Sequence, residues 1–185
     1  MGVVDVQING INDDGLAFGL DSSISVSVNI AWGTGPDPDR TFSTYLLFKG
    51  ITIPAGATIT ESWIEFNEAV NTGTPGARIY FEDVAAPEIP TTFAGFYAKT
   101  KTTNYVAIGS ITGTQKSNSL NDVIQELVDS HAPYSNGAMQ ALIIYTSAAG
   151  NYCIPKSYDN DTSLCPRLYI KFTAPRFKGT QVIIV

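Results

Sequence analysis

Ile24-Ser25-Val26-Ser27-Val28-Asn29-Ile30 alternates apolar and polar side chains without a break. Successive side chains of a β-strand point to opposite faces, so this period of two predicts a strand with one buried and one wet face. The next turn signal, residues 33–39 (GTGPDPD), reads as a loop, because Gly and Pro do not serve a central ladder. Working outward, Val4, Val6 and Ile8 alternate in the same way and end at Asn9-Gly10. Residues 44–48 (TYLLF) are apolar enough for a strand buried on both sides. Ile51 and Ile53 lead into the Pro54-Ala55-Gly56-Ala57 turn, and Trp63, Ile64 and Phe66 belong to the strand beyond it. Short strands are also expected at 78–81, 105–108, 141–145 and 167–172. Residues 85–101, rich in Pro, Thr and Ala, read as a long surface excursion.

One segment breaks the pattern. Leu120, Val123, Ile124, Leu127 and Val128 recur at the spacing of an amphipathic helix, predicted over about 119–130. Ser119 and Asp122 stand at capping-box spacing, and the helix should stop before Pro133. Many short strands around one helix indicate an all-β, jelly-roll-type sandwich. No internal repeat divides the chain, so residues 1–173 read as one domain and residues 174–185 as an extension or assembly arm.

The chain has 185 residues, 44% of them apolar and 15% charged, with a net charge of −6 and a pI near 4.6. Low charge excludes a disordered chain. The acidic balance, without a Lys/Arg cluster, disfavours nucleic acid as a partner. No signal-peptide pattern and no apolar run of membrane-spanning length is visible, so no membrane partner is expected. The expectation is a protein that stays where it is made or leaves as part of something larger.

One histidine, His131, sits where a helix C-terminus favours a cation. One His and two Cys draw no familiar zinc site, and no phosphate loop or nucleophile elbow occurs, so neither a metal nor a cofactor is expected. Glu65, Glu68, Glu82 and Asp83 are carboxylates that a glycosidase would need in pairs, though carboxylates on solvated sheet faces are ordinary. Asn12-Asp13-Asp14 and Asp159-Asn160-Asp161 are oxygen-rich turns, each short of the six or more ligands calcium takes. Cys153 and Cys165 flank a turn; a hairpin centred on Asp159 would oppose them within disulfide reach.

Six segments, in order, resemble a known family: Tyr45-Leu-Leu-Phe48, Ile51-Thr-Ile-Pro-Ala-Gly-Ala-Thr-Ile59, Trp63-Ile-Glu-Phe66, Leu120-Asn-Asp-Val-Ile-Gln-Glu-Leu-Val128, Ser157-Tyr-Asp159 and Pro166-Arg-Leu-Tyr-Ile170. The set is similar to the DNRLRE-type domain, akin to the carbohydrate-binding module 96 group, over roughly residues 3–173. That resemblance implies a β-jelly-roll of the kind found in secreted adhesins, polysaccharide-acting enzymes and phage particles.

Trp32, at a strand end beside the Gly-rich loop, is the aromatic best placed to meet a ligand. With Tyr158 and Asp159 it makes the candidate ligand-binding set. At the C-terminus, Phe177 and the β-branched run Val182, Ile183, Ile184 and Val185 are candidate interface residues, docking as an added strand on a neighbour; the alternative is that the run folds back as an extra strand of its own sandwich. The function expected is a non-catalytic virion structural protein, a capsid decoration or tail-associated component of a tailed phage assembled in the host cytoplasm. Its partners would be other virion proteins and copies of itself, with a trimer the first guess by analogy with jelly-roll decoration proteins. The alternative is an extracellular carbohydrate-binding module or adhesin that holds surface glycans.

Overall fold

A computed structural model describes residues 1–25, 29–37, 39–148 and 150–175. In chain order its elements are β1 (Gly2–Gln7), β2 (Asp14–Phe18), β3 (Ser23–Ser25), β4 (Trp32–Thr34), β5 (Thr41–Ile53), β6 (Thr58–Thr72) and β7 (Ala77–Phe81). There follow α1 (Phe93–Ala98), β8 (Val106–Ile108), β9 (Thr114–Lys116), α2 (Asn121–His131), β10 (Tyr134–Tyr145), β11 (Asn151–Pro155) and β12 (Arg167–Thr173). The fold is an all-β sandwich of two curled antiparallel sheets with two short helices.

β5 and β6 frame it. Between them, Ala57 donates its N–H to the Pro54 carbonyl at 3.3 Å, and Gly56 takes φ +69° at the third turn position, where a left-handed backbone favours glycine. Sheet A is β1, β12, β6 and β9. Sheet B holds β2, β3, β4, β5, β7, β8, β10 and β11 together with the far end of β6. β6 therefore belongs to both: Thr58–Glu65 pairs with β12, and Glu68–Thr72 pairs with β11. Side chains alternate as expected along β12, where Leu168, Ile170 and Phe172 are buried and Arg167 and Thr173 are exposed. The main core between the sheets includes Trp32, Phe48, Ile64, Phe66, Phe81, Ile143 and Leu168.

α2 lies against β6 and β7 and sends Val123, Ile124, Leu127 and Val128 into that core, together with Leu120 just ahead of it. Its boundaries differ slightly from the expected ones. Leu120 is the N-cap residue, so no Ser119–Asp122 capping box forms; Ser119 Oγ only accepts from Asn121 N–H at 3.4 Å. The helix ends at Ala132, which is extended (ψ 148°), as the residue before a proline prefers.

The 85–101 excursion is more ordered than its composition suggests. It contains α1, capped by Thr92 Oγ1 on Gly95 N–H at 3.0 Å. α1 and its flanks cover the outside of sheet B and make a second apolar cluster of Phe96, Tyr45, Leu142 and Ala17. The opening alternation is realised only in part. Ser23–Ser25 is a strand and Ile30 is buried outside any strand, while residues 26–28 lie outside the described residues.

Candidate functional site

The sequence-derived ligand set does not come together. Trp32 is fully buried; its indole N–H donates to the Gly109 carbonyl at 3.0 Å and its ring meets Phe66 edge-on at 5.3 Å. It is a core side chain with its polar atom satisfied, and the expectation that it meets a ligand is corrected. Tyr158 is half-buried against the main core, and Asp159 is exposed.

What does come together at Tyr158 is the two oxygen-rich turns. Asp14, at the start of β2 and 2% exposed, accepts the Tyr158 backbone N–H at 2.8 Å. Burial, with smaller contributions from Asp159 and Asp13, pushes the Asp14 carboxyl up to about 6. Asp13 is also buried and pairs with Lys49 at 2.6 Å. Among the described residues, no three His, Cys, Asp or Glu side chains are grouped to hold a metal ion. The junction ties β2 and β5 to the 157–164 turn.

The cysteines do not face one another across a hairpin. Cys153 is paired with Trp32 on β4 and with Asn71 on β6, so both edges of β11 are taken. Residues 156–166 instead lead to β12, which pairs with β1 and β6. Both cysteines are buried thiols. Cys165 Sγ lies 3.3 Å from the Ile8 carbonyl, and burial pushes its thiol up to about 11, an inert state at neutral pH.

Of the carboxylates considered for glycoside chemistry, Glu82 and Asp83 are tied elsewhere, and the Glu68 side chain lies outside the described residues. Glu82 pairs with Lys99 at 2.7 Å, both nearly buried, and Asp83 meets His131 Nε2 at 2.7 Å. Glu65 lies on the outer face of sheet A. Phe177, Val182, Ile183, Ile184 and Val185 lie outside the described residues.

The surface with the most recognition chemistry is that outer face of sheet A. Alternation drives Ile64, Phe66, Leu168 and Ile170 inward and leaves Trp63 and Tyr169 outward, directly opposite each other in the ladder. Their rings stack at 4.8 Å with an 8° interplanar angle. Lys116, reaching from β9 on the other side of β6, holds its ammonium 3.8 Å from the Trp63 ring. Arg167 pairs with Asp5 through both nitrogens of a bidentate contact, and Lys171 stands 3.8 Å from Glu61. Both helices pack elsewhere, α2 against β6 and β7 as part of the core and α1 over sheet B. Sequence reading reached Trp63 but not its face; the inward run of β12 was the signal that decides it.

A second aromatic group lies on sheet B. Phe18 stacks on Phe42 at 5.5 Å, Phe42 meets Tyr152 edge-on at 5.9 Å, and the Arg40 guanidinium is 6.0 Å from the Phe18 ring. Phe42 and Tyr152 are separated in the ladder by Gly33, which pairs with both. Gly33 has φ +121°, and a Cβ there would collide with the Asn151 carbonyl, so only glycine fits this close approach to β11.

No protein-family model matches the chain, and no curated protein is similar to it.

Proposed function

We propose that the protein is a non-catalytic structural component of a virion, a decoration or tail-associated protein of a tailed phage, that assembles through the outer face of sheet A. The observation that carries this reading is the half-buried Trp63–Tyr169 stack on the outer face of sheet A, flanked by Asp5, Glu61, Arg167 and Lys171. An aromatic and arginine centre within a polar rim is the usual anatomy of a protein–protein contact. The low charge of the chain, the order of its DNRLRE-like motifs and the engagement of Asp13, Glu82, Asp83 and Cys165 in structural contacts support the same reading. The extension beyond residue 173, with its run at 182–185, serves as the second point of attachment.

The test is gradient fractionation of lysate from producing cells, followed by immunogold electron microscopy. The protein is expected to sediment with particles and to be labelled on their surface. Protein found only free in the soluble or secreted fraction overturns the reading.

The Phe18–Phe42–Tyr152 row ending in Arg40 favours a second reading, an extracellular carbohydrate-binding module, since ring surfaces and a guanidinium suit a glycan. Glycan-array binding lost in Phe42→Ala and Tyr152→Ala, with the fold intact, supports it over the first.

A further inference from the structure

We infer that the outer face of sheet A closes on a second copy of the same chain, about a twofold axis running along the strands between β6 and β12. This names the partner of the surface described above and takes up the assembly reading.

The inference rests on the ladder register, which sorts the outward side chains into three rows. In the middle row, Tyr169 stands beside Trp63. In the row to one side, Arg167 stands beside Glu65, with Lys116 of β9 beyond it; in the row to the other, Lys171 stands beside Glu61; Asp5 of β1, the partner of Arg167, flanks the middle row. Read along the strands, β12 therefore presents a cation, an aromatic ring and a cation. β6 presents an anion, an aromatic ring and an anion. The two stripes are adjacent, equally spaced and opposite in sign.

Two sheets packed face to face keep their strands roughly aligned, within about 30°. Two twofold axes in the plane between the sheets satisfy that alignment, and charge chooses between them. An axis across the strands lays each stripe on its own copy: Arg167 over Lys171, and Glu61 over Glu65. Both contacts set like charges together. An axis along the strands, midway between β6 and β12, lays the cationic stripe of one copy on the anionic stripe of the other. Arg167 then meets Glu65, Lys171 meets Glu61 and Trp63 meets Tyr169, each contact made twice, as an isologous interface requires.

The same arrangement explains why a chain of net charge −6 carries a charge-balanced patch here. A strongly basic or acidic partner would oppose one stripe or the other; a second copy suits both.

The patch is small. Three strands about 4.8 Å apart and three outward rows about 7 Å apart cover roughly 300 Å² per copy, well under half of a standard interface. The dimer is accordingly weak, in the micromolar to millimolar range, as suits a contact repeated many times in an assembly.

Sedimentation equilibrium of the full chain, from about 10 μM to about 1 mM, tests this directly. A monomer–dimer equilibrium is expected, weakened by salt. Arg167→Glu is expected to raise Kd at least tenfold, and Lys171→Glu, at the other end of the stripe, to do the same. The exchange Lys171→Glu with Glu61→Lys restores association, because it reverses both stripes in a row whose β1 neighbour is the uncharged Val3. Circular dichroism and thermal melting establish that each variant is folded. A monomer throughout, a trimer, or a dimer insensitive to both stripe substitutions overturns the inference. Particle incorporation is read separately. A chain that dimerises in this way but is never found on particles removes the virion reading and leaves the dimer standing; a particle-bound chain that is monomeric in solution does the reverse.

Discussion

The Asp14 carboxylate accepts the backbone N–H of Tyr158 at 2.8 Å, joining the start of β2 to a turn 144 residues away. This bond forms where water is nearly excluded, with Tyr45, Asp13, Asp159 and Cys165 as the ionisable neighbours.

The first prediction is a pH dependence. Asp14 has its pKa raised from 3.8 to about 6, chiefly by burial. The folded state thus holds this proton more tightly than the unfolded state does. The Asp14 contribution to stability is full below about pH 4, falls between about pH 4 and 6, and is flat above; the charged form costs about 2–3 kcal/mol. Asp14→Asn removes that slope. Denaturant melts of both proteins from pH 4 to 8 should give a difference curve that rises in favour of the variant across this window. A flat difference curve rejects the assignment.

The second prediction concerns α2. Ile124 is fully buried between the helix and the sheets, so Ile124→Ala should cost about 2–5 kcal/mol in equilibrium unfolding. A near-neutral result would mean that the helix face is not part of the core.

Trp32 supplies a third. Its burial and its bond to the Gly109 carbonyl make it a packing residue, and Trp32→Ala should lose about 3–5 kcal/mol. Loss of binding to a partner or glycan without any loss of stability would contradict this placement.

A fourth concerns the thiols. Cys153 and Cys165 are both buried, and the Cys165 thiolate is disfavoured. Iodoacetamide should modify neither in the native protein and both after denaturation. Intact mass under non-reducing conditions should correspond to two thiols; a mass about 2 Da lower would indicate a disulfide.

The fifth concerns the extension. Deleting residues 176–185 should leave β12 and the rest of the sandwich folded, because Thr173 already pairs with Thr58. Incorporation into particles should fall. If the truncated chain unfolds, the segment belongs to its own core; if it incorporates normally, it is not an attachment arm.

Much of the fold was readable in advance because its signals are local. A continuous apolar run marked β5, shorter apolar stretches marked β6 and β12, and the spacing of Val123, Ile124, Leu127 and Val128 marked α2. α1 escaped because Phe93–Ala98 is under two turns and aromatic, with no stripe to recognise. The Cys153–Cys165 hairpin failed for a different reason. Adjacent strands usually pair, but here β4 and β6 occupy both edges of β11, and a linear reading cannot see distant competitors. Trp32 was open to two readings, ligand contact or core packing, and only the fold, which brings Phe66 against it, decides for packing. Trp63 was legible as an alternating residue, while its stack with Tyr169 depends on register across β6 and β12.

The sharing of β6 between the two sheets has a mechanical consequence. Strand backbone is already close to its full length, at about 3.4 Å per residue, and yields little to tension. One sheet therefore cannot slide over the other unless β6 releases its ladder with β12 or with β11. Shear between the layers is borne by a single continuous strap, and the easiest deformation left to the sandwich is a bend near residues 66–68, where that strap passes from one sheet into the other.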